Sequence, residues 1–413
     1  MKKYLFFVAV VLSFLACKEN TKPAHSTPIE ATPLQVFSFS SFTSGNSHLS
    51  RLFATDNTLY LSWVETREDS SHLFISQFNA TKWTPPERII SGTDWFVNWA
   101  DFPALAVNNQ GDIVTSFLQK SDTATYAYDV KLNFYDAETK HWKKNFILHD
   151  DGTKTEHGFI SMTTDKNGDF YLSWLDGRNT GNMGGGHDHH GHHGAMTLRT
   201  AKVTSAGEII DDIQLDEKVC DCCQTSITMS QNGPVVAYRD RSDEEIRDIS
   251  VISFENGSWS SPKTIGEDNW EIAGCPVNGP AIGAYNNSIA VAWFTGANDE
   301  GKVQVCFLEN EKVIRLDHGN ATGRVAIEMI SEDIAAVLWM EPHGEEELIQ
   351  LALVSNLGAI EEQVTISKTT AERASGFPQL QQFESDLYIT WTEVEDKTSQ
   401  VRMATVSISN YLE

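Results

Sequence analysis

Three of the six cysteines, Cys220, Cys222 and Cys223, fall within four positions, and Arg239, Arg241 and Arg247 follow within thirty residues among five carboxylates. Soft thiolates are ligands for zinc and cuprous copper. A closed zinc site needs four ligands. Cys222, Cys223 and Cys275 offer three, with Cys220 beside them and His157 as the fourth. The same cysteines admit a second chemistry, a disulfide clasp from Cys220 or Cys222 to Cys275. Cys306 lies mid-strand in VQVCFLE and is expected in the core.

A second donor set sits in GRNTGNMGGGHDHHGHHGAM, where His187, His189, His190, His192 and His193 stand among glycines between Met183 and Met196. Imidazole suits zinc, copper and nickel, and thioether sulfur shifts the preference toward cuprous copper. Ordering so many glycines costs entropy, so the alternative is a solvated insertion. The arginines also have two uses. They can lock Asp240, Glu244, Glu245 and Asp248 into an ion-pair network, or hold a ligand carboxylate in two-pronged fashion.

A repeat must position these residues. An aromatic-tipped run recurs as LYLSWVE (Trp63), DIVTSFL (Phe117), FYLSWLD (Trp174), VVAYRD (Tyr238), IAVAWFT (Trp293), AAVLWME (Trp339) and LYITWTE (Trp391). The anchors are 46 to 64 residues apart, a spacing that fits units of four short strands. Alternation and β-branched content support strands, and no long helical period is present. The expectation is an all-β chain, a β-propeller of four-stranded blades. Seven blades fit the anchors, with six as the alternative. The last unit has three strands after Phe377, so LQVFSFSS at 34–41 is expected to supply the fourth and close the ring.

In a propeller the innermost strand lines the channel. The segment leading into that strand and the loop between second and third strands share one face. Lead-in segments bring Trp99 and Asp101, Glu156 and His157, Cys222 and Cys223, Cys275 and Asn278, then Arg324 and Arg373. The loops add Asp176, Arg178, Arg239, Asp240, Arg241, Arg247 and Asp248.

Turns reading FNATKWTPPERI, FYDAETKHWKKNFI and FENGSWSSPKTI resemble degenerate Asp-box turns of the sialidase or BNR-repeat superfamily. That resemblance implies an arginine triad for a substrate carboxylate, a tyrosine nucleophile and an aspartic acid. On this chain they would be Arg178, Arg239 and Arg324, then Tyr238 and Asp101. The Phe-Arg-Ile-Pro segment often seen in that superfamily is absent.

The N-terminus reads as an address. Lys2, Lys3 and the apolar run from Tyr4 to Leu12 form an export signal. Phe14-Leu15-Ala16-Cys17 resembles a bacterial lipobox, with Cys17 as the lipidated residue. Residues 1–17 are thus expected as signal, 18–34 as tether and 35–413 as propeller. A formal net charge of -26 argues against nucleic acid and anionic lipid surfaces. The expectation is a monomer of the bacterial cell envelope, held to the membrane only by its lipid. It binds copper or zinc at the Cys/His cluster, or else an acidic glycan or a protein partner as a sialidase-like hydrolase or a non-catalytic propeller.

Overall fold

Alternating sequence becomes antiparallel strands throughout the computed structural model, which describes residues 34–412 apart from 40–42, 44–45, 80, 182–193 and 397. The strands form seven sheets in a ring, six of them meanders whose successive strands are neighbours. Blade one runs from Asn46–Ala54 to Glu87–Gly92, blade two from Leu105–Val107 to His141–Ile147, and blade three from His157–Thr164 to Ile209–Asp216. Blades four to six begin at Ser226–Met229, Ala281–Tyr285 and Gly323–Met329. In blade four the outer strand is split, with Ser258–Trp259 and Lys263–Ile265 both paired to Ile249–Glu255.

The seventh blade closes the ring. It takes Gln379–Phe383, Asp386–Glu395 and Thr398–Ser407 from the C-terminal end, then Val36–Phe39 from the N-terminal end. Val36 pairs with Val406 and Phe39 with Met403, antiparallel. Without this strand the backbone of Thr398–Ser407 would present an open edge.

The core lies between blades rather than within them. Leu52, Trp63, Phe383, Tyr388 and Met403 pack the last blade onto the first. Equivalent clusters join blades two and three, and five and six. Each anchor falls on a second strand and is buried: Trp63, Trp174, Trp293, Trp339 and Tyr238 are 0% exposed. A buried indole N–H needs an acceptor. Trp63 donates to Glu65, Trp174 to Asp176 and Trp339 to Glu341, each two residues on. Trp293 uses Asp268 from the preceding segment, and the Tyr238 hydroxyl uses Asp216. Trp391 is the exception, because the corresponding Glu393 is bound by Arg402 and its indole nitrogen has no partner. First strands of the blades enclose a central channel of about 280 Å3.

Candidate functional site

Each blade starts at the channel and ends at the rim, so the lead-in segments cross one face of the ring. There they enclose a cavity of about 470 Å3 lined by Trp99, Glu156, Cys222, Arg247, Cys275 and Arg373 among others. Residues from five blade-to-blade segments and loops thus meet although far apart in sequence.

The thiols form its wall. Ligand atoms of Cys220, Cys222 and Cys223 all lie within 4.8 Å of one another. Cys220 and Cys223 are buried with their sulfurs 2.7 Å apart, Cys222 is half-buried and Cys275 is exposed. Among the described residues these cysteines are free thiols. Arg247 reaches the Cys220 sulfur at 3.5 Å while Glu245 holds the same guanidinium at 2.8 Å. Arg241 bridges Asp221 and Glu245, so the loop is tied to the sulfur segment by ion pairs. Burial alone would raise the Cys220 thiol. Hydrogen bonds from Cys222 and Cys223, with the Arg247 charge, hold it well below its ordinary value instead. Cys275 is lowered by its hydrogen bond to Cys222. Hydrogen bonds to Cys220, Cys223 and Cys275, in that order, push Cys222 up. Cys220 and Cys275 are thus the thiols held toward the thiolate, between neighbours held toward the thiol.

Across the cavity stands a second arrangement. The Tyr128 hydroxyl lies 2.9 Å from Asp101 Oδ2 and 2.7 Å from Glu156 Oε1. A phenol has one proton and cannot donate to both carboxylates, so one carboxyl must hold a proton of its own. Burial pushes Asp101 up to about 7 against the bonds from the Phe159 N–H and Tyr128. Glu156 rises to about 8, again through burial, with the Asp101 charge adding to it.

The residues singled out from sequence separate into groups. Cys222 and Cys275 line the cavity, with Cys220 and Cys223 behind them. His157 does not join the sulfurs: its Nε2 faces Asp151 and Asp176 at 3.1 and 3.7 Å. The reason is its place at the first residue of a strand, where antiparallel pairing sets it opposite Asp176. Arg178, Arg239 and Arg324 do not converge. Arg178 is engaged by Asp176 through both Nε and Nη2. Arg239 donates to the carbonyls of Asn278, Arg247 and Phe294. Arg324 donates to the carbonyls of Ala371, Glu372 and Gly376 and to Ser375, fastening the turn that precedes blade seven. Tyr238 fills an anchor slot, and Asp216 takes its hydroxyl at 2.5 Å. Asp101 reaches the site through Tyr128. Cys306 is a core residue, 1% exposed. His187, His189, His190, His192, His193, Met183 and Cys17 lie outside the described residues.

Sequence reasoning passed over Tyr128, His149, Asp129 and Asp151. The available signal was their position, either opening a third strand or on the segment just before a lead-in residue already chosen, Glu156.

No family model matches the chain, and no curated protein does. Among solved structures it is similar to a protein of unknown function from Dyadobacter fermentans DSM 18053, with TM-score 0.54 and 10% identity over 91% of this chain and 99% of that one. It is also similar to an ulvan lyase of polysaccharide lyase family PL25, with TM-score 0.56 and 12% identity over 90% and 96%. The NanB sialidase from Streptococcus pneumoniae aligns with TM-score 0.44 and 8% identity over 86% and 84%. At such identities the likeness is one of architecture, and the chain is a seven-bladed β-propeller.

Proposed function

We propose that the protein is an exported, lipid-anchored propeller of the bacterial cell envelope that binds a transition metal, copper or zinc, at Cys220, Cys222, Cys223 and Cys275. The observation that carries this reading is the mutual approach of three thiols within 4.8 Å beside an open cavity. The donor set fits such an ion. Sulfur ligands favour cuprous copper and zinc, and Arg247 offsets the charge that deprotonated thiols would bring into a buried place. Cys275, exposed and hydrogen-bonded to Cys222, is the donor through which an ion would enter. The anchoring rests on the sequence around Cys17 alone.

The test is metal analysis of protein purified without a metal column, together with a free-thiol count. About one equivalent of copper or zinc per chain is expected, and Cys222→Ser with Cys275→Ser should eliminate it. Mass spectrometry that finds Cys275 bonded to Cys220 or Cys222 in native protein would turn the cluster into a staple between blades.

A second reading is favoured by Arg373, whose exposed guanidinium has no hydrogen-bond partner among the described residues. It stands at the same cavity as Trp99 and Tyr126, a combination suited to an acidic glycan. Loss of uronate- or sialate-oligosaccharide binding on Arg373→Ala, with metal content unchanged, would support it.

A further inference from the structure

Blades two and three enclose a donor set that contains no sulfur. Asp129 lies at the start of Tyr128–Asp136, His149 and Asp151 follow His141–Ile147, and His157 and Asp176 face each other across His157–Thr164 and Phe170–Asp176. Ligand atoms of Asp129, His149 and His157 lie within 4.8 Å of one another, and so do those of Asp151, His157 and Asp176. His157 belongs to both groups.

A proton on His157 can meet Asp151, but it leaves His149 Nε2 without a partner. His157 Nδ1 lies 3.3 and 3.2 Å from the carbonyl oxygens of Tyr128 and Thr155, which can only accept. Its N–H is therefore on Nδ1, and Nε2 turns to Asp151 Oδ2 at 3.1 Å. That oxygen already receives His149 Nδ1 at 2.9 Å, which leaves His149 Nε2 directed toward Asp129 at 3.9 Å. Both Nε2 atoms are buried and neither makes a well-formed hydrogen bond. His157 is 0% and His149 2% exposed. Such a group is costly to bury if nothing meets it. An imidazole lone pair and a carboxylate oxygen approach this closely only with positive charge between them. Protonating both rings is opposed by their stacking, with centroids 3.6 Å apart and planes at 10°. The fixed cations are too few. Arg178 covers Asp176 at 2.7 Å and reaches Asp151 at 3.6 Å, and Lys131 stands 3.6 Å from Asp129. Three carboxylates thus face two permanent positive charges, and the third is either a proton on His157, which Asp151 and Asp176 favour, or a bound cation in its place.

We propose that this pocket is a divalent-cation site, with His157 Nε2 and Asp151 as its central ligands and Asp129 and Asp176 on either side. Carboxylates with imidazole suit manganese(II) or zinc(II) rather than cuprous copper. The backbone carbonyls on His157 Nδ1 supply the outer-shell support that fixes a ligating ring. His149 lies in a plane nearly parallel to His157 and shares its Asp151 oxygen.

Mn2+ titration of the metal-stripped full chain, followed by the loss of the free-ion electron paramagnetic resonance signal, tests the site independently of the thiol reading. One saturable equivalent is expected in wild-type protein and also in Cys222→Ser/Cys223→Ser. His157→Gln should weaken it at least tenfold. Asp129→Asn, at a side chain 15% exposed, should weaken it too and keeps the test decisive if His157→Gln fails to fold. Binding by the histidines between 187 and 193 would ignore both substitutions. Mn2+ uptake that is unchanged in both variants overturns the proposal. So does nitrogen NMR showing both ring nitrogens of His157 protonated with and without Mn2+, because a proton would then complete the network.

Discussion

The sulfur cluster and the imidazole–carboxylate pocket are built by the same rule and end with opposite properties. Both take ligands from segments leading into a blade, and both keep an arginine at hand, Arg247 for Cys220 and Arg178 for Asp176. The sulfur set is soft and opens on a 470 Å3 cavity through the exposed Cys275. The other is hard and closed, with Asp176 and His157 at 0% side-chain exposure. A fold that fixes where strands begin and end thus offers several ligand sets at once. Residue type and access then decide which ion each can hold, and whether it exchanges or stays.

The largest expected effect separates the two. Cys222→Ser/Cys223→Ser should abolish tight copper binding, a loss exceeding the roughly 10–100-fold typical of removing an outer-shell partner. Asp151→Asn should leave copper affinity within about twofold. Competition against a cuprous chelator measures both. Equal loss in the two variants would mean that the clusters form one site.

The arginines break the comparison differently. Arg239 spends its guanidinium on three backbone carbonyls, one of them that of Arg247, and stacks 5.0 Å from the Trp270 ring. Arg239→Ala should cost about 3 kcal/mol or more, since each carbonyl stripped of its donor loses about 1 kcal/mol or more. It should loosen the sulfur side while leaving Mn2+ binding intact. Denaturant unfolding with both ligands reads this out, and a stability change near zero would return Arg239 to the candidates for ligand binding. Arg247→Met is milder. It removes the charge beside Cys220, so thiol alkylation should slow at pH 7 and copper affinity should fall by about 10–100-fold. Unaltered alkylation would show that the neighbouring thiols alone lower Cys220.

The architecture was legible because its signal is repeated: seven aromatic anchors, each two residues before a polar or acidic position, mark seven second strands. Closure by 34–41 followed from counting strands, and Val36–Phe39 carries it out. The meeting of Cys222 with Cys275 was legible for the same reason, since strand order alone puts both segments on one face. Which way a side chain turns within that face was not. His157 and Cys222 both lead into blades, but the register opposite Asp176 draws the histidine between blades two and three. Tyr238 carried two expectations, a repeat anchor and a nucleophile under the sialidase resemblance, and it sits in the anchor slot with its hydroxyl on Asp216. A tyrosine hydroxyl invites a chemical role that Trp174 or Trp339 at the equivalent position does not.

The smallest expected effect concerns the groups that lie between the two regions. Asp101, Tyr128 and Glu156 link the wall of the sulfur cavity to the strand that carries Asp129. Burial lifts Asp101 from 3.8 to about 7, so the folded chain keeps a proton that the unfolded chain releases near pH 4. Between those values the folded state binds more protons, and stability must fall as pH rises. Metal-free protein should therefore lose melting temperature from about pH 4 to pH 7, with Glu156, lifted to about 8, extending the decline. Asp101→Asn keeps an oxygen for the Phe159 N–H and offers a permanent donor to the Tyr128 hydroxyl, so folding should survive. It should flatten the decline by on the order of 2 °C for a chain of this size. A slope identical to wild type would mean that Asp101 ionises normally, and that the Tyr128 hydroxyl donates to Glu156 alone.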